Sequence, residues 1–280
     1  MNRDLKLLYG LFAYFVFVMT IAYGVAFFGN FYVARTIDAA AIVPFSKALT
    51  VNIGLLLLFA LQHSGMARKS FKRWLHARMS KCLERSTYVL ASSIAIIVVF
   101  VFWQPMGGIV WSVSNAVWTR AIYAVYFAGW GLMIYASFLI DHFEMFGLRQ
   151  AWTAYRGGEC WSPRFRTPGL YRHVRHPIYL GWLLILWASP VMTVTHLVFA
   201  AGMTIYLLIG IQFEERDLAL ELHDYQQYKR KVPMLLPSFR KRLLQGADSD
   251  RKPPHLDSDG RDATQFANVF DQRPEKLARK

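Results

Sequence analysis

The feature that most constrains this chain is a series of long runs without a charged side chain. The runs extend over Leu7 to Ala34, Ala48 to Gln62, Ser86 to Thr119, Ala121 to Ile140 and Ile178 to Phe213. An uncharged apolar run of about 18 residues or more can cross a membrane as a helix; the second run is shorter, but it can extend back to Pro44. The last run holds Pro190 and His196 near its middle, so it predicts a tight hairpin of two helices. The predicted fold class is an all-α integral membrane protein with six spans, or five on a stricter count.

Composition agrees with a membrane location. Hydrophobic residues make up 55% of the chain and charged residues 18%, against about 25% charged residues in an average soluble chain. The run from Leu7 to Ala34 is too long for the apolar core of a cleavable signal peptide. We therefore expect this run to remain as the first transmembrane helix.

The lysines and arginines predict the orientation. Seven of them lie in the segment 63–85 and six in the segment 141–177, whereas the segment 105–119 has none. Because cytoplasmic loops carry an excess of these residues, both termini are expected in the cytoplasm and the protein in the cytoplasmic (inner) membrane. The net charge of +14 then follows the topology. It favours contact with anionic membrane lipid and argues against a nucleic-acid partner.

Two further expectations concern domain organisation and the cysteines. Residues 1–240 are predicted to form one membrane-embedded domain, and the polar segment 246–280 is predicted to be a disordered cytoplasmic tail. Cys82 and Cys160 both fall in predicted cytoplasmic loops, so a disulfide between them is not expected. Their spacing does not form a metal-binding motif.

Polar residues, most of them ionisable, gather where the predicted spans end. They are Gln62, His63 and Ser64 after the second span, Asp141, His142 and Glu144 after the fourth, His173, Arg175 and His176 before the fifth, and Glu214, Glu215 and Asp217 after the sixth. With the predicted topology, all four groups lie at the cytoplasmic end of a span. Such groups are costly at membrane depth and usually face the bundle interior or a cavity. Helix ends also carry charges for no functional reason, but histidine, glutamate and arginine arriving from several spans favour a site.

The junction before the fifth span is suited to bind an anion. Pro177 is favourable in the first turn of a helix, where the free N–H groups and the helix dipole attract a carboxylate or phosphate. Gly181, one turn later, permits the close approach of a ligand or of a neighbouring backbone. Tyr171 and Tyr179 could pack against a ring or a sugar. A plain interfacial anchor of arginine, histidine and tyrosine would give the same pattern.

A polar helix is predicted after the last span, where Glu214 and Glu215 begin the segment EERDLALELHDYQQYKRKVP. Tyr225, Tyr228 and Val232 lie on one face of it. The paired carboxylates could bind ribose hydroxyls or an ammonium group. The alternative is an amphipathic helix that lies on the membrane surface.

These elements together resemble a known family. The pattern R-H-P-x-Y-x-G, a hydrophobic hairpin, E-E and then Y-x-x-Y-x-x-x-V-P is similar to the isoprenylcysteine carboxyl methyltransferases, which are integral-membrane enzymes that use S-adenosylmethionine. The resemblance covers about residues 155–237, and it implies that S-adenosylmethionine is the cofactor and binds at the cytoplasmic face. The candidate cofactor-binding residues are Tyr171, His173, Arg175, His176, Pro177, Ile178, Tyr179, Gly181, Glu214 and Glu215.

A narrower resemblance lies outside that region. The stretches QHSGMARKSFKRW (62–74) and DHFEMFGLRQ (141–150) are similar to the bacterial methanethiol S-methyltransferase branch, near the NnrU-like membrane proteins, which implies the methylation of methanethiol to dimethyl sulfide. The prenylcysteine enzymes have a substrate-binding arginine about one turn before E-E, where this chain has Gly210. This departure disfavours a prenylcysteine carboxylate and suits a small thiol.

Methylation of a thiol needs a base, because an alkyl thiol is mostly protonated at neutral pH. Asp141 and His142 are the candidate catalytic residues. Adjacent residues do not face each other on a helix, so each is expected to contact substrate or water. His63 and Phe143 are the candidate substrate-binding residues, and His63 is the second candidate base.

Two other classes of protein remain open. A membrane reductase that uses NADPH has a similar C-terminal pattern but is usually longer. A non-catalytic protein could bind haem or a metal through His63, His142, His173 and His176, but the spacing of these histidines gives a weak metal signal, and no metal site is predicted. The sequence does not indicate an oligomeric state.

Overall fold

The computed structural model describes residues 2–160, 166–222 and 225–237. The helices are α1 (Arg3–Gly29), α2 (Phe45–Ala67), α3 (Lys69–His76), α4 (Glu84–Phe102), α5 (Ala116–Leu139), α6 (His142–Met145), α7 (Leu148–Tyr155), α8 (Pro177–Trp187), α9 (Val194–Glu221) and α10 (Tyr225–Lys231). Short 3-10 helices cover Lys81–Leu83 and Gly169–Arg172. The predicted tail, 246–280, and Arg164 of the basic loop lie outside the described residues.

Among the described residues, five helices are long and apolar enough to cross a membrane: α1, α2, α4 with the preceding 3-10 turn, α5 and α9. The predicted all-α integral membrane fold is therefore confirmed. The last apolar run is divided unequally, because α8 has 11 residues and α9 has 28. At about 1.5 Å per residue α8 extends roughly 16 Å, about half of a hydrocarbon core near 30 Å thick. The predicted hairpin thus consists of one half-length helix and one full span.

A two-stranded sheet lies in the connections beyond the end of α8. Strand β1 (Ile109–Ser112) pairs antiparallel with strand β2 (Val191–Thr193). Pro190 lies at the point where the sequence predicted the turn, and its carbonyl accepts a hydrogen bond from the N–H of Val113. The sequence analysis did not predict these strands. They satisfy backbone polar groups of both connections where no helix provides partners.

The end of the bundle that carries this sheet is closed by a buried ion pair. His196, at the start of α9, is fully buried, and its Nδ1 lies 3.0 Å from the Asp38 carboxylate. Asp38 also accepts hydrogen bonds from the Thr193 hydroxyl and the Asn30 amide. These bonds, and the charge of His196, outweigh the effect of burial and lower the pKa of Asp38. The connection between α1 and α2 is therefore attached to the start of α9.

Close contact between α5 and α8 depends on two glycines. A Cβ on Gly181 would lie 2.8 Å from the Gly129 carbonyl oxygen, and a Cβ on Gly129 would lie 2.9 Å from the Gly181 carbonyl oxygen. Helices in membranes use small residues in this way to bring backbones together. Of the two roles predicted for Gly181, the approach of a neighbouring backbone is the one that the structure shows.

The expectation that the cysteines do not pair is wrong. Cys82 and Cys160 form a disulfide. They meet because the start of α7 packs against the start of α4, where the Ser86 hydroxyl donates to the Gly147 carbonyl. The prediction was based on the reducing cytoplasm, whereas the pairing depends on a tertiary contact between the two loops that the sequence does not show.

Candidate functional site

The ends of the helices meet on the face of the bundle opposite the sheet. The Arg85 guanidinium donates to the Met145 carbonyl at 2.5 Å, which joins the start of α4 to α6. The Tyr171 hydroxyl donates to the Ala136 carbonyl near the end of α5. Lys69, at the start of α3, pairs with Glu221 at the end of α9. The polar groups that the sequence placed at one membrane depth therefore lie on one face.

The start of α8 is held in place by a buried cluster of charges around Glu215. This carboxylate accepts from Arg175 Nε at 2.7 Å, from His176 Nε2 at 3.1 Å and from Lys229 Nζ at 2.8 Å. The side chains of Arg175, His176 and Glu215 are each less than a tenth exposed. Three donors on one carboxylate leave little of its charge for a ligand, so Glu215 lies in a structural position.

Arg175 binds backbone as well as Glu215. Its guanidinium donates to the carbonyls of Lys229 and Val232, and its own N–H donates to the Pro233 carbonyl. These bonds fasten α10 and the segment after it to the start of α8. The predicted contact of Arg175 with a ligand stays a prediction, and its described hydrogen bonds are all to protein.

Glu214 differs from its neighbour. Its side chain is 45% exposed, and its carboxylate accepts from the Tyr179 hydroxyl at 2.8 Å. His176 Nδ1 lies 4.0 Å from the same carboxylate. Burial, with Glu214 nearby, raises the pKa of Tyr171. His176, Tyr179, Glu214 and Tyr171 therefore lie together, and Glu214 is the member of the carboxylate pair that a ligand can reach.

The remaining predicted cofactor residues surround this group. Pro177 is the first residue of α8, as predicted, and His176 precedes it without a side-chain capping bond. The first N–H groups of a helix have no partner within the helix, so those of Ile178 and Tyr179 are available to an acceptor. His173 is exposed at the end of its 3-10 turn. Gly181 packs against the backbone of Gly129 on α5.

Across from this group, His63 belongs to a polar cluster inside the bundle. Its Nε2 lies 2.6 Å from the Tyr88 hydroxyl, and its Nδ1 lies 3.1 Å from the Ser92 hydroxyl. Tyr88 and Tyr206 are close enough to Tyr179 to interact with it electrostatically. A small cavity that opens to the surface lies beside Tyr88. Its walls are formed by Met66, Ala67, Lys72, Leu75, Glu84, Arg85 and Tyr88.

Sequence reasoning found His63 in this cluster but missed its partners on α4. Tyr88 and Ser92 are four residues apart, so both lie on the same face of the helix. A polar pair at this spacing within an apolar span indicates a polar neighbour on another helix. That signal was present in the sequence.

Asp141 and His142, the predicted catalytic residues, have partners of their own. Asp141 has a positive φ of 89°, caps α6 and pairs with Arg149. His142 lies between the Tyr14 hydroxyl, 2.8 Å from Nε2, and the Ser137 hydroxyl, 2.7 Å from Nδ1.

Aromatic rings enclose His142 further. Its ring stacks on Phe138 at 4.4 Å and meets Phe143 edge-on, and burial lowers its pKa. Phe143 itself is 46% exposed. Neither Asp141 nor His142 lines the cavity beside Tyr88. Their role as the base stays a prediction.

The histidines do not form a metal site in the described residues. Within 2–160, 166–222 and 225–237, no three or more side chains of histidine, cysteine, aspartate or glutamate are grouped so that they could hold a metal ion. His63 and His142 contact different tyrosines, on α4 and on α1.

Known proteins resemble most of this chain. A family model described as "Protein of unknown function (DUF1295)" matches residues 33–232. Methanethiol S-methyltransferase of Crocosphaera subtropica is 45% identical over 243 residues, which cover 86% of this chain and 95% of that protein. The protein of the same name from Pseudomonas deceptionensis is 48% identical over 214 residues, with coverage of 76% and 82%. Nurim of Xenopus laevis is 35% identical over 191 residues, with coverage of 65% and 66%. No solved structure matches.

The matched region includes all the residues that form the two facing groups. His63, Tyr88, Tyr179 and Glu214 all lie between residues 33 and 232. The narrower resemblance read from QHSGMARKSFKRW and DHFEMFGLRQ is confirmed, because relatives that share 43–48% of their residues with this chain carry that name. The chain therefore belongs to the DUF1295 family, together with the methanethiol S-methyltransferases.

Proposed function

We propose that this protein methylates methanethiol to dimethyl sulfide with S-adenosylmethionine as the methyl donor. The family membership supports the reaction, since relatives covered over 82–95% of their own length are methanethiol S-methyltransferases. The observation that carries the site is the exposed Glu214 carboxylate beside the start of α8. An exposed carboxylate and helix N–H groups that have no partner within the helix are there side by side.

These groups fit the two ends of the proposed cofactor. The N–H groups of Ile178 and Tyr179 suit a carboxylate, and Glu214 suits an ammonium group or ribose hydroxyls. Tyr171 and Tyr179 offer ring faces to an aromatic base or a sulfonium. When bound, the cofactor supplies an electrophilic methyl group. The protein holds the thiol in line with that group, which can contribute much of the rate.

The surroundings fit a small neutral thiol. The cavity beside Tyr88 has apolar walls at Met66, Ala67 and Leu75. No side chain comes within 4 Å of a Cβ built on Gly210, the position where the prenylcysteine enzymes have their arginine. A substrate carboxylate therefore lacks its expected partner there.

We also propose the orientation and the domain limits. The basic segments 63–85 and 141–177 flank the helix ends that form the site, so the site and both termini are placed in the cytoplasm and the protein in the cytoplasmic membrane. Residues 1–240 form the catalytic domain, with the cofactor part at 155–237. The excess of positive charge on this face favours anionic lipid.

The neighbouring glutamates provide a matched test. Glu214→Gln should weaken S-adenosylmethionine binding at least ~10-fold, about 1.4 kcal/mol, with little change in the unfolding temperature. Glu215→Gln should instead lower the unfolding temperature, because it leaves Arg175 with an unpaired buried charge. Equal cofactor affinity in folded wild type and Glu214→Gln would contradict the site.

The activity is tested directly with membranes that contain the protein. They are incubated with S-adenosylmethionine and a panel of thiols, and volatile sulfides are measured. Methylation of prenylcysteine without methylation of methanethiol would contradict the substrate. Oxidation of NADPH, or stoichiometric haem in the purified protein, would support one of the other two classes instead.

A further inference from the structure

We infer that Tyr88 takes the proton from the thiol and passes its own proton to His63. The inference rests on the proposed thiol methylation and assigns the base of that reaction. The sequence predicted Asp141 or His142 as the base, with His63 as the second candidate; here His63 acts through Tyr88.

The hydrogen bonds around His63 allow a proton to pass from Tyr88 to the imidazole. The Tyr88 hydroxyl lies 2.6 Å from Nε2, and the Ser92 hydroxyl lies 3.1 Å from Nδ1. A neutral imidazole has one donor nitrogen and one acceptor nitrogen. We assign the donor to Nδ1, which donates to Ser92, and the acceptor to Nε2, which accepts from Tyr88. In this arrangement the phenol oxygen keeps a lone pair for a second proton.

The position of Tyr88 makes it the member of the pair that a substrate can touch. Tyr88 lines the open cavity, whereas His63 does not. His63 is packed behind it, against the rings of Phe59 and Tyr206. Tyr88 is thus the catalytic residue, while His63 and Ser92 position it and hold the proton.

The charges around the pair also fit this role. The Arg85 guanidinium lies 5.6 Å from the centre of the Tyr88 ring, where its positive charge favours the loss of a proton from Tyr88. The other ionisable groups that face Tyr88 or the cavity come from three further elements and from α4 itself. They are Lys72 on α3, Tyr179 on α8, Tyr206 and Glu214 on α9, and Glu84 on α4.

The reaction step conserves protons and electrons. As the thiol S–H bond breaks, its proton goes to the Tyr88 oxygen and the Tyr88 proton goes to His63 Nε2. The sulfur lone pair forms the new S–C bond, and the electrons of the cleaved sulfonium C–S bond remain on the departing thioether. His63 is left as an imidazolium that donates to Ser92, and it later returns the proton to solvent through Tyr88.

The chain holds a second set of the same three residue types, which supplies an internal control. His142 contacts Tyr14 and Ser137 at hydrogen-bond distance, just as His63 contacts Tyr88 and Ser92. Tyr14 does not line the cavity beside Tyr88. Instead, its ring contacts Phe17 and Phe143. The two sets share their chemistry and differ in their access to the cavity.

The test compares Tyr88→Phe with Tyr14→Phe in the full-length protein. Each change removes one hydroxyl and keeps the ring. At neutral pH, Tyr88→Phe should lower kcat/KM for methanethiol at least ~100-fold, the lower range for general acid–base catalysis, while Tyr14→Phe should stay within about 3-fold of wild type. S-adenosylmethionine binding, which also reports folding, should be unchanged in both.

A pH profile separates a proton acceptor from a merely structural tyrosine. The deficit of Tyr88→Phe should shrink as the pH approaches the pKa of the thiol, because solvent then supplies the thiolate. It should also be small for an aryl thiol that is already ionised at neutral pH. If Tyr88→Phe does not fold, Ser92→Ala should show a smaller deficit with the same pH dependence.

Three results would overturn the inference. They are near wild-type turnover of folded Tyr88→Phe at neutral pH, a deficit that does not change with pH, and a large loss in Tyr14→Phe instead, which would place the base at His142. In each case wild type still methylates methanethiol. If wild type does not, the proposed function fails, and this base assignment fails with it.

Discussion

Replacing Gly129 with alanine should separate α5 from α8 and destabilise the half-length helix. The new Cβ would lie 2.9 Å from the Gly181 carbonyl oxygen and 3.0 and 3.1 Å from side-chain atoms of Leu184 and Ile185. The oxygen belongs to the backbone of α8, so it can move only if the whole helix moves. Overpacking of this kind typically costs about 1–3 kcal/mol.

Gly131 is the matched control on the same helix. A Cβ there meets nothing within 4 Å, so Gly131→Ala has only the change in helix propensity, a gain of roughly 0.5–1 kcal/mol. Gly129→Ala has the same gain and also the clash. The two variants should therefore differ by about 1–3 kcal/mol in the free energy of unfolding, with Gly129→Ala the less stable.

The assay is unfolding in mild detergent, followed by temperature or by titration with a denaturing detergent. Because α8 carries Pro177 and Tyr179, Gly129→Ala should also weaken S-adenosylmethionine binding, whereas Gly131→Ala should not. Equal stability of the two variants would refute the reasoning, since it would mean that α8 moves away from α5 at no cost.

Two further predictions concern the loops. Asp38→Asn should lower the free energy of unfolding by about 3–5 kcal/mol, because it leaves His196 buried without its counter-ion. The pKa of Asp38 is lowered in the folded protein, so the stability that Asp38 contributes is complete above about pH 4 and is lost as the pH falls through the folded-state pKa. Wild type should therefore lose stability in acid more steeply than Asp38→Asn when thermal unfolding is compared at several pH values. A reporter fused after Lys280 should be cytoplasmic, and a periplasmic reporter would overturn the orientation. Because Cys82 and Cys160 form a disulfide, a maleimide should label them only after reduction; labelling without a reductant would contradict the pairing.

The sequence predicted the spans because an uncharged run is a local property. Each long run contains most of one long helix, and Pro177 begins α8, as its missing N–H suggests. The strands β1 and β2 were not predicted, because each is short and acquires its partner from a segment about 80 residues away. The disulfide was missed for the same reason, since the contact of Ser86 with Gly147 brings the two loops together only in the folded protein.

The site was predicted as a face of the bundle but not as a set of contacts. The lysines and arginines of the loops predict the topology, and this topology predicts that polar groups from several helices lie at the same membrane depth. That the Glu215 carboxylate accepts from Arg175, His176 and Lys229 depends on how α10 folds back. The sequence shows Arg175 and Glu215 as charged groups but not their pairing, because an unpaired charge and a paired one look the same in a sequence; their contact with a ligand stays a prediction.

Helix geometry explains why neighbouring residues divide their roles at this site. Adjacent residues on an α-helix point about 100° apart, so Glu214 and Glu215 approach His176 at different ring nitrogens and otherwise face different neighbours. Glu215 faces α8 and α10 and joins them, which leaves Glu214 on the side of Tyr179, where it stays exposed. The reverse geometry applies to Tyr88 and Ser92, whose spacing of four residues brings both to the same side of α4 and so to the two nitrogens of one histidine. The buried Glu215 carboxylate thus holds α8 and α10 in place beside α9. Glu214 on α9 and the pair of Tyr88 and His63 on α4 and α2 are positioned by different helices.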